Sequence, residues 1–248
     1  MDIDAYLALL GIERLATADL ATLELLQRAH LTAVAFENLD VYARRGVRTD
    51  DLWSVTKVVE QGRGGWCFEL NGAFAALLAG LGYHVTRHAA TVLLSPSIKI
   101  PTHLTLKVDL DRPYLVDVGF GDSFIKPLPL DSVGPHDGGS GQFGFIFEDD
   151  KTTLVAFGDD GEPVPQFSFD ATARNPADFD EASLLLQTQP GLQWTKTRFA
   201  TRLLDGGPDR VTLLEGRLKR RRKGEWTETP VQDEEWGAVL DKWFGLTP

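Results

Sequence analysis

The chain contains only one cysteine, Cys67, among its 248 residues. A single thiol excludes an intramolecular disulfide and a zinc site built from several cysteines. The sequence also lacks an apolar run of the roughly 18 residues that a membrane-spanning helix needs. Its first residues, MDIDAYLALLG, carry aspartate where a secretory signal carries lysine or arginine. We therefore expect a cytoplasmic protein with no metal site and no membrane partner.

Positive charge is scarce: 25 Lys and Arg face 36 Asp and Glu, which gives a formal net charge of −11. That balance argues against nucleic acid or an anionic membrane as a partner. If the substrate is itself an anion, local positive groups must overcome the unfavourable field of the whole chain.

The apolar pattern changes its period along the chain. It favours helices over residues 1–83, with Thr17 as an N-cap in TADLATLELLQRAH. The stretch DDLWSVTKVVEQG carries Leu52, Val55 and Val59 at helical spacing, and a third helix follows Cys67. From residue 84 to 174 the period is two, as in HLTLKV, PYLVDV and QFGFIF, which indicates a sheet or barrel. SPSIKIP (95–101) is predicted to be irregular.

The last third of the chain mixes both patterns. NPADFDEASLLLQTQPG predicts a connecting helix within 175–190. The remainder, 191–248, has strand-like stretches and a final amphipathic helix that ends before Gly245. The order of elements predicts an α+β fold.

Cys67 has two interpretations. A free cysteine most often packs as a small buried hydrophobe. Its setting in RGGWCFELN, however, places it at a helix start, where unpaired N–H groups and the helix dipole favour an anion and so the nucleophilic thiolate. Gly64 and Gly65 let the backbone approach a ligand, and N–H groups there could hold an oxyanion. A thiolate nucleophile also needs a base and a group that orients the base.

The candidate bases are the histidines, of which His103 is distinguished by its strand. In HLTLKV, His103 shares a face with Thr105 and Lys107, while the leucines and the valine share the other face. The following strand, PYLVDV, carries Asp117 among apolar neighbours, where an unpaired carboxylate would be costly. The five histidines of the chain are His30, His84, His88, His103 and His136.

The loop between these strands decides whether the two side chains meet. If residues 109–111 form a three-residue loop, Val108 pairs with Arg112 and His103 lies directly opposite Asp117. Opposite Cβ atoms on one face are about 4.5–5.5 Å apart. A loop of two or four residues would put the two side chains on opposite faces. A three-residue loop thus predicts an aspartate that holds a histidine, as in a catalytic triad.

These motifs together resemble the arylamine N-acetyltransferase family. The resemblance rests on RGGWCFELN (63–71), THLTLKVDL (102–110) and VDVGFGD (116–122), in that order. AFENLDV (35–41) and KPLPL (126–130) match further elements of the family. The likeness covers the first 130 residues well and the rest weakly.

The resemblance implies a papain-like cysteine catalytic core in an α+β fold of defined parts. These are an N-terminal helical bundle (1–83) that carries the nucleophile, a central β-barrel (84–174) that carries the histidine and the aspartate, a connecting helix (175–190) and a C-terminal α/β lid (191–248). It implies a triad of Cys67, His103 and Asp117.

The resemblance also implies a reaction, in which acetyl-CoA acetylates the cysteine and a small arylamine or hydrazine then takes the acetyl group. Acetyl-CoA would be a co-substrate, and no permanently bound cofactor is expected. Phe120, Phe36 and Gly119 are the implied substrate contacts. Glu37 and Arg63 are expected to pair and brace the cysteine loop, whereas Glu69 is a weak candidate for a base.

The chain departs from the family near the coenzyme site. Thr188 and Pro190 match a family element, but Leu192 and Trp194 stand where that element continues, so a hydroxyl available to a phosphate is missing. Two smaller departures are Ser183, for an asparagine, and Ala35, for a proline. The basic run GRLKRRRKGEW, from 216 to 226, is either a solvated, charged hairpin edge or a group of cations that attracts the coenzyme's phosphates.

Three alternatives to acetyl transfer stay open. The first is an amide synthase that releases or cyclises a polyketide chain from an acyl carrier protein. The second is a cysteine hydrolase, in which water resolves the acyl-enzyme. The third is a non-catalytic relative that senses oxidants through Cys67.

Overall fold

The computed structural model describes residues 1–13, 17–94, 98 and 100–248. Most of the SPSIKIP segment therefore lies outside the described residues. The α-helices are α1 (Ile3–Leu9), α2 (Leu20–Ala33), α3 (Leu39–Tyr42), α4 (Asp51–Val55), α5 (Cys67–Gly80), α6 (Asp180–Thr188), α7 (Gln193–Lys196) and α8 (Trp236–Phe244). A π-helical turn, Thr56–Glu60, continues α4, and 3-10 turns cover Pro176–Phe179 and Asp233–Glu235.

The strands form two antiparallel sheets. They are β1 (Phe36–Glu37), β2 (His84–Val92), β3 (His103–Asp109), β4 (Pro113–Val116), β5 (Leu128–Pro129), β6 (His136–Asp137), β7 (Gln142–Glu148), β8 (Lys151–Phe157), β9 (Pro163–Asp170), β10 (Ala200–Leu203), β11 (Arg210–Leu214), β12 (Arg217–Arg222) and β13 (Glu225–Pro230).

The larger sheet is a nearly closed barrel with the order β5-β4-β3-β2-β9-β8-β7-β6. Its end strands β5 and β6 approach each other, so the sheet curls around its own apolar core. The face of β3 that carries Leu104, Leu106 and Val108 packs on the helices. His103 and Thr105 alternate with these residues and lie on the other face. The alternation predicted from the sequence is confirmed.

Helix α5 forms the centre of the helical part of the core. It begins at Cys67 as predicted and is buried along most of its length, including Phe74, Leu77 and Leu78. The N-cap of helix α2 lies two residues after the predicted one. Its N-cap is Asp19, which accepts the N–H of Thr22 at 2.9 Å, so Thr17 as N-cap was wrong.

The π-helical turn changes which side chains face the core. A π-helical turn inserts an extra residue and rotates the helix face that follows it. After Val55 the buried positions are Lys57, which is only 2% exposed, and Val58, whereas Val59, at the predicted helical spacing, is half-buried. A lysine is thereby buried next to the cysteine loop.

The smaller sheet joins the N-terminal part of the chain to its C-terminal part. Its order is β1-β10-β11-β12-β13, so β1, from the helical segment, pairs with β10. The basic strand β12 forms a hairpin with β13, the last strand of this sheet, which agrees with the interpretation of the basic run as a charged hairpin edge. Helix α8 covers this sheet and ends before Gly245, as predicted, and this glycine adopts a left-handed conformation.

The α+β class is confirmed by these elements. The division into folding units at residues 83, 174 and 190 stays a prediction. Within the described ranges no helix is long and apolar enough to cross a membrane.

Candidate active site

Cys67 occupies the first position of α5 and is 5% exposed. Its Sγ lies 3.7 Å from the carbonyl oxygen of Thr102, the residue before β3. The carboxylate of Glu69 accepts the N–H of Trp66 at 3.3 Å, which holds the turn that enters the helix. The start of α5 therefore places the thiol at the end of the barrel, next to the residue that precedes β3.

His103 and Asp117 form the predicted pair. The Nε2 atom of His103 lies 2.6 Å from Oδ2 of Asp117, and both residues are 3% exposed. The predicted register was wrong by two positions, because Asp109 pairs with Pro113 and the loop covers 110–112. An even shift keeps every side chain on its face. Asp117 follows β4 and reaches His103 diagonally, on the predicted side of the sheet.

The charge on Asp117 controls the protonation of His103. Burial by itself lowers the pKa of His103, but the charge and hydrogen bond of Asp117, with a hydrogen bond to Cys67, raise this pKa to about 10. Because Nε2 is engaged by Asp117, Nδ1 is the nitrogen left for the thiol. The site therefore holds an imidazolium at neutral pH, the partner that a thiolate requires.

Asn71 connects the helix to the aspartate, and the sequence assigned it no role. Its Nδ2 donates to Oδ1 of Asp117 at 2.9 Å and to the carbonyl oxygen of Leu104 at 2.6 Å. Its Oδ1 accepts the N–H of Val118 at 2.9 Å. Asn71 lies four residues after Cys67, so the two side chains share one helix face. That spacing is the sequence signal that could have identified it.

Gly119 lies at the closest approach between the loop after β4 and α5. A Cβ atom at this position would lie 2.6 Å from Cα of Cys67 and 2.9 Å from Nδ2 of Asn71. Its N–H donates to Oδ1 of Asp117 at 2.8 Å. A side chain here would push the loop off the helix and move Asp117 away from His103.

A cavity of about 530 Å³ opens next to Cys67 and His103. The three substrate contacts implied by the resemblance, Phe36, Gly119 and Phe120, all lie in its wall. The sequence missed the apolar wall that comes from elsewhere in the chain. This wall consists of Val92, Leu94, Ile98, Leu186, Leu192, Trp194 and Phe199.

Aromatic rings dominate two sides of this cavity. The ring of Phe120 meets His103 edge-on, with centroids 5.0 Å apart. On the other side Trp194 packs against Phe36 and Phe199, with centroid distances of 6.1 and 5.8 Å. Edge-on and tilted pairs of this kind fix ring orientation. The cavity is therefore shaped for a flat apolar group.

Behind the cysteine loop lies a buried ionic cluster centred on Lys57. Its Nζ lies 2.7 Å from Glu69 and 2.8 Å from Asp40. Arg63 pairs with the same Asp40 at 3.0 Å. The predicted pair of Arg63 with Glu37 was wrong, since the arginine reaches the carboxylate that lies three residues beyond Glu37. Lys57 and Asp40 were missed because lysine in a helical pattern usually marks solvent.

Glu37 supports the loop through its backbone and its carboxylate. Its N–H donates to the carbonyl oxygen of Gly65 at 2.8 Å, and its Oε2 accepts the N–H of Leu39 at 2.5 Å. Burial raises the pKa of Glu37 to about 7, although Lys57 lowers it. Glu69 is likewise buried and occupied by Lys57 and Trp53. This arrangement leaves Glu69 a bracing role and argues against its use as a base.

Asn38, the last residue of the FEN element, holds the segment that lines the cavity. Its Nδ2 donates to the carbonyl oxygens of Trp194 and Thr197, both at 2.8 Å, and its Oδ1 accepts the N–H of Phe199 at 2.9 Å. The position of Trp194 beside Phe36 thus depends on a residue 156 positions earlier.

A papain-like α+β fold with a cysteine, a histidine and an aspartate beside an apolar cavity defines a cysteine-dependent acyltransferase. The sequence profile of the N-acetyltransferase family matches residues 19–247, and the chain belongs to this family. The resemblance found in the motifs is confirmed.

Individual relatives agree with this assignment. The arylamine N-acetyltransferase of Mycolicibacterium smegmatis is 32% identical over 202 residues, 77% of this chain and 72% of the relative. The solved arylamine N-acetyltransferase of Salmonella typhimurium superposes with a TM-score of 0.93 at 27% identity, over 98% of this chain and 90% of that one. The Mycobacterium marinum enzyme in complex with CoA gives 0.89 at 29% identity, over 98% and 92%.

Proposed function

We propose that the chain transfers an acetyl group from acetyl-CoA through Cys67 to an arylamine or hydrazine. The observation that carries this proposal is that His103, hydrogen-bonded to Asp117, lies with Cys67 in the wall of an apolar cavity. The relatives are named arylamine N-acetyltransferases, which favours acetyl transfer over the amide-synthase alternative.

In the first half-reaction the Cys67 thiolate attacks the thioester carbonyl. The backbone N–H groups of Cys67 and Phe68 lie in the first turn of α5, where helix donors have no intrahelical partner. We assign them as donors to the developing oxyanion. As the tetrahedral intermediate collapses, the C–S bond to the coenzyme breaks. Imidazolium His103 gives its proton to the departing thiolate, which leaves acetyl-Cys67 and neutral His103.

In the second half-reaction the amine nitrogen attacks acetyl-Cys67. Neutral His103 removes a proton from the attacking nitrogen, and the bond to Sγ then breaks. The products are an amide and the restored thiolate–imidazolium pair. Asp117 holds Nε2 throughout, so His103 turns the same nitrogen, Nδ1, towards the reacting atoms in both halves.

The cavity supports an acceptor with a flat ring. Its lining is mainly apolar, and Phe120 stands beside the catalytic pair with its ring in contact with His103 and Phe167. An aromatic amine can pack on such a wall while its nitrogen reaches the thioester. Hydrazines depend less on contact with Phe120, because their nucleophilic nitrogen need not be bonded to an aromatic ring.

The basic strand β12 gives little support to the donor assignment. Four of its cations lie within 4.0 Å of carboxylates of the same chain: Arg217, Lys219, Arg221 and Arg222. Paired cations offer a weaker attraction to phosphate. The support for acetyl-CoA comes instead from the similar Mycobacterium marinum enzyme that was solved in complex with CoA.

The test is intact-protein mass spectrometry after brief mixing with acetyl-CoA, with Cys67→Ala as the control. We expect one acetyl adduct on the wild type and none on the variant. An aromatic amine or hydrazine should discharge the adduct and yield the corresponding amide, whereas water should discharge it slowly.

Two results would contradict the proposal. Rapid discharge by water alone would make the chain a hydrolase. An iodoacetamide-reactive Cys67 that forms no adduct would exclude acetyl-CoA as the donor.

A further inference from the structure

Asp122, just beyond the cavity loop, is held by two arginines of the C-terminal sheet. Arg210 Nε lies 3.1 Å from Oδ1 of Asp122. Arg221 binds both oxygens of the same carboxylate, with Nη1 3.0 Å from Oδ2 and Nη2 2.9 Å from Oδ1. A bidentate arginine fixes the direction of a carboxylate as well as its position. We call Asp122, Arg210 and Arg221 the arginine clamp.

Arg210 also hydrogen-bonds to the backbone of the loop. Arg210 Nη2 donates to the carbonyl oxygen of Gly121 at 2.8 Å, and its Nη1 donates to Oγ1 of Thr201 at 3.1 Å. Arg210 is only 2% exposed. Burial of a guanidinium is unfavourable unless its N–H groups are hydrogen-bonded. The hydrogen bonds therefore define one position of the loop relative to the sheet.

Phe120 lies between the two fixed ends of this loop. On one side the N–H of Gly119 is held by Asp117 at 2.8 Å. On the other side the carbonyl oxygen of Gly121 is held by Arg210. The ring between them meets Phe167 with centroids 4.9 Å apart and faces the cavity. If the second anchor is released, the ring loses its orientation while the hydrogen bond between His103 and Asp117 remains.

We propose that Arg210 and Arg221 are positioning residues, which act through Asp122 and Gly121 to hold Phe120 as the wall for ring-bearing acceptors. This inference rests on the proposed function and extends it to the choice of acceptor. The clamp contacts neither Cys67 nor His103, so it acts on the second half-reaction and leaves formation of acetyl-Cys67 largely unchanged.

The experiment separates the two half-reactions in Asp122→Asn and Arg221→Gln. Acetyl-enzyme formation is followed by mass spectrometry, and discharge is then measured with aniline and with hydrazine, which has no ring. We expect the KM for aniline to rise about fivefold to tenfold in Asp122→Asn, the range for one misplaced aromatic contact. Arg221→Gln, which keeps Arg210 on Asp122, should show a smaller rise.

Hydrazine discharge and acetyl-enzyme formation should stay within about twofold in both variants, because neither needs the Phe120 wall. Arg222→Gln is the matched control. It removes a neighbouring arginine whose partner is Asp205 at 3.1 Å, and it should leave all three measurements unchanged. Thermal unfolding of each variant checks that the chain is folded, and Arg221→Lys should recover part of the aniline affinity.

Several outcomes would overturn the inference. Unchanged KM for aniline in both variants would show that Phe120 does not depend on the clamp. Equal losses with aniline and hydrazine would indicate a general disturbance of the triad. Failure of the wild type to form acetyl-enzyme would instead overturn the proposed function, and that result appears before any variant is compared.

Discussion

Asn71 lies one helical turn after Cys67, and its side chain donates to Asp117 at 2.9 Å. One face of α5 therefore carries the thiol and also orients the aspartate of the candidate triad. The same amide binds the carbonyl oxygen of Leu104 on β3 and the N–H of Val118. These contacts fix helix α5 against the barrel at the point where His103 meets its aspartate. The aspartate is thus oriented by the element that carries the thiol.

Asn71→Ala should lower kcat by up to about a hundredfold, because small misplacements of catalytic groups cost rates of that order. Steady-state kinetics with a saturating amine measure the effect. Gln187→Ala, which removes an amide that hydrogen-bonds to Val47 and Ser183, is the control and should retain kcat. Similar losses in both variants would mean that Asn71 contributes only to stability.

The hydrogen bond between His103 and Asp117 makes a prediction about stability and pH. The pKa of His103 is raised from 6.5 to about 10, so the folded state binds this proton more tightly than the unfolded state. The stabilisation is fully present below pH 6.5 and is lost as the pH rises towards about 10. Over that interval the free energy of unfolding should fall by about 1 kcal/mol per pH unit.

Chemical denaturation of the wild type and of His103→Gln over this pH range measures the difference. The variant lacks the titrating group. Its free energy of unfolding minus that of the wild type should therefore become more positive as the pH rises. Parallel curves for the two proteins would show that Asp117 does not raise the pKa of His103.

Glu37 predicts a second pH effect, within the buried cluster. Burial raises its pKa from 4.5 to about 7, so its proton is held more tightly in the folded state. The corresponding stabilisation is present below pH 4.5 and is lost as the pH rises to about 7. Glu37→Gln keeps an oxygen for the N–H of Leu39 and removes the titration.

The free energy of unfolding of Glu37→Gln minus that of the wild type should be about 1–3 kcal/mol more positive at pH 8 than at pH 4. Urea unfolding at the two pH values measures this change. A difference independent of pH would show that Glu37 is ionised throughout, stabilised by Lys57.

Trp194 should limit the length of the acyl group, because it stands in the cavity wall against Phe36 and Phe199. Trp194→Ala removes this ring and should raise the ratio of kcat/KM for butyryl-CoA to that for acetyl-CoA by at least about tenfold. Trp226→Ala, which removes an exposed tryptophan on β13, is the matched control. An unchanged ratio in Trp194→Ala would place the acyl chain on another wall.

Local patterns predicted much of the fold and the candidate site. The helix that starts at Cys67 follows from its apolar spacing, and the shared face of His103 and Asp117 follows from strand alternation. Both depend on residues within a few positions of each other. The exact partner across the hairpin was wrong, because loop length alone does not show where pairing ends and Asp117 lies past the end of β4.

The sequence patterns did not identify residues whose partners are distant in sequence. They also did not identify a residue that is buried because of a backbone irregularity. Asn38 acts on the segment at 194–199, and a pattern read along the chain does not reveal such a contact. Lys57 is buried because a π-helical turn rotates its helix, which the spacing of Val55 and Val59 does not reveal. The clamp on Asp122 likewise joins a barrel loop to two strands, through arginines that follow 88 and 99 positions later.

The two-residue strand β1 has a consequence for synthesis of the chain on the ribosome. β1 borders the cysteine loop through Gly65 and pairs with β10, while Asn38 next to it binds a residue 161 positions later. Pairings this distant in sequence form late. The thiol is therefore translated early but acquires its finished surroundings only when the C-terminal sheet has emerged.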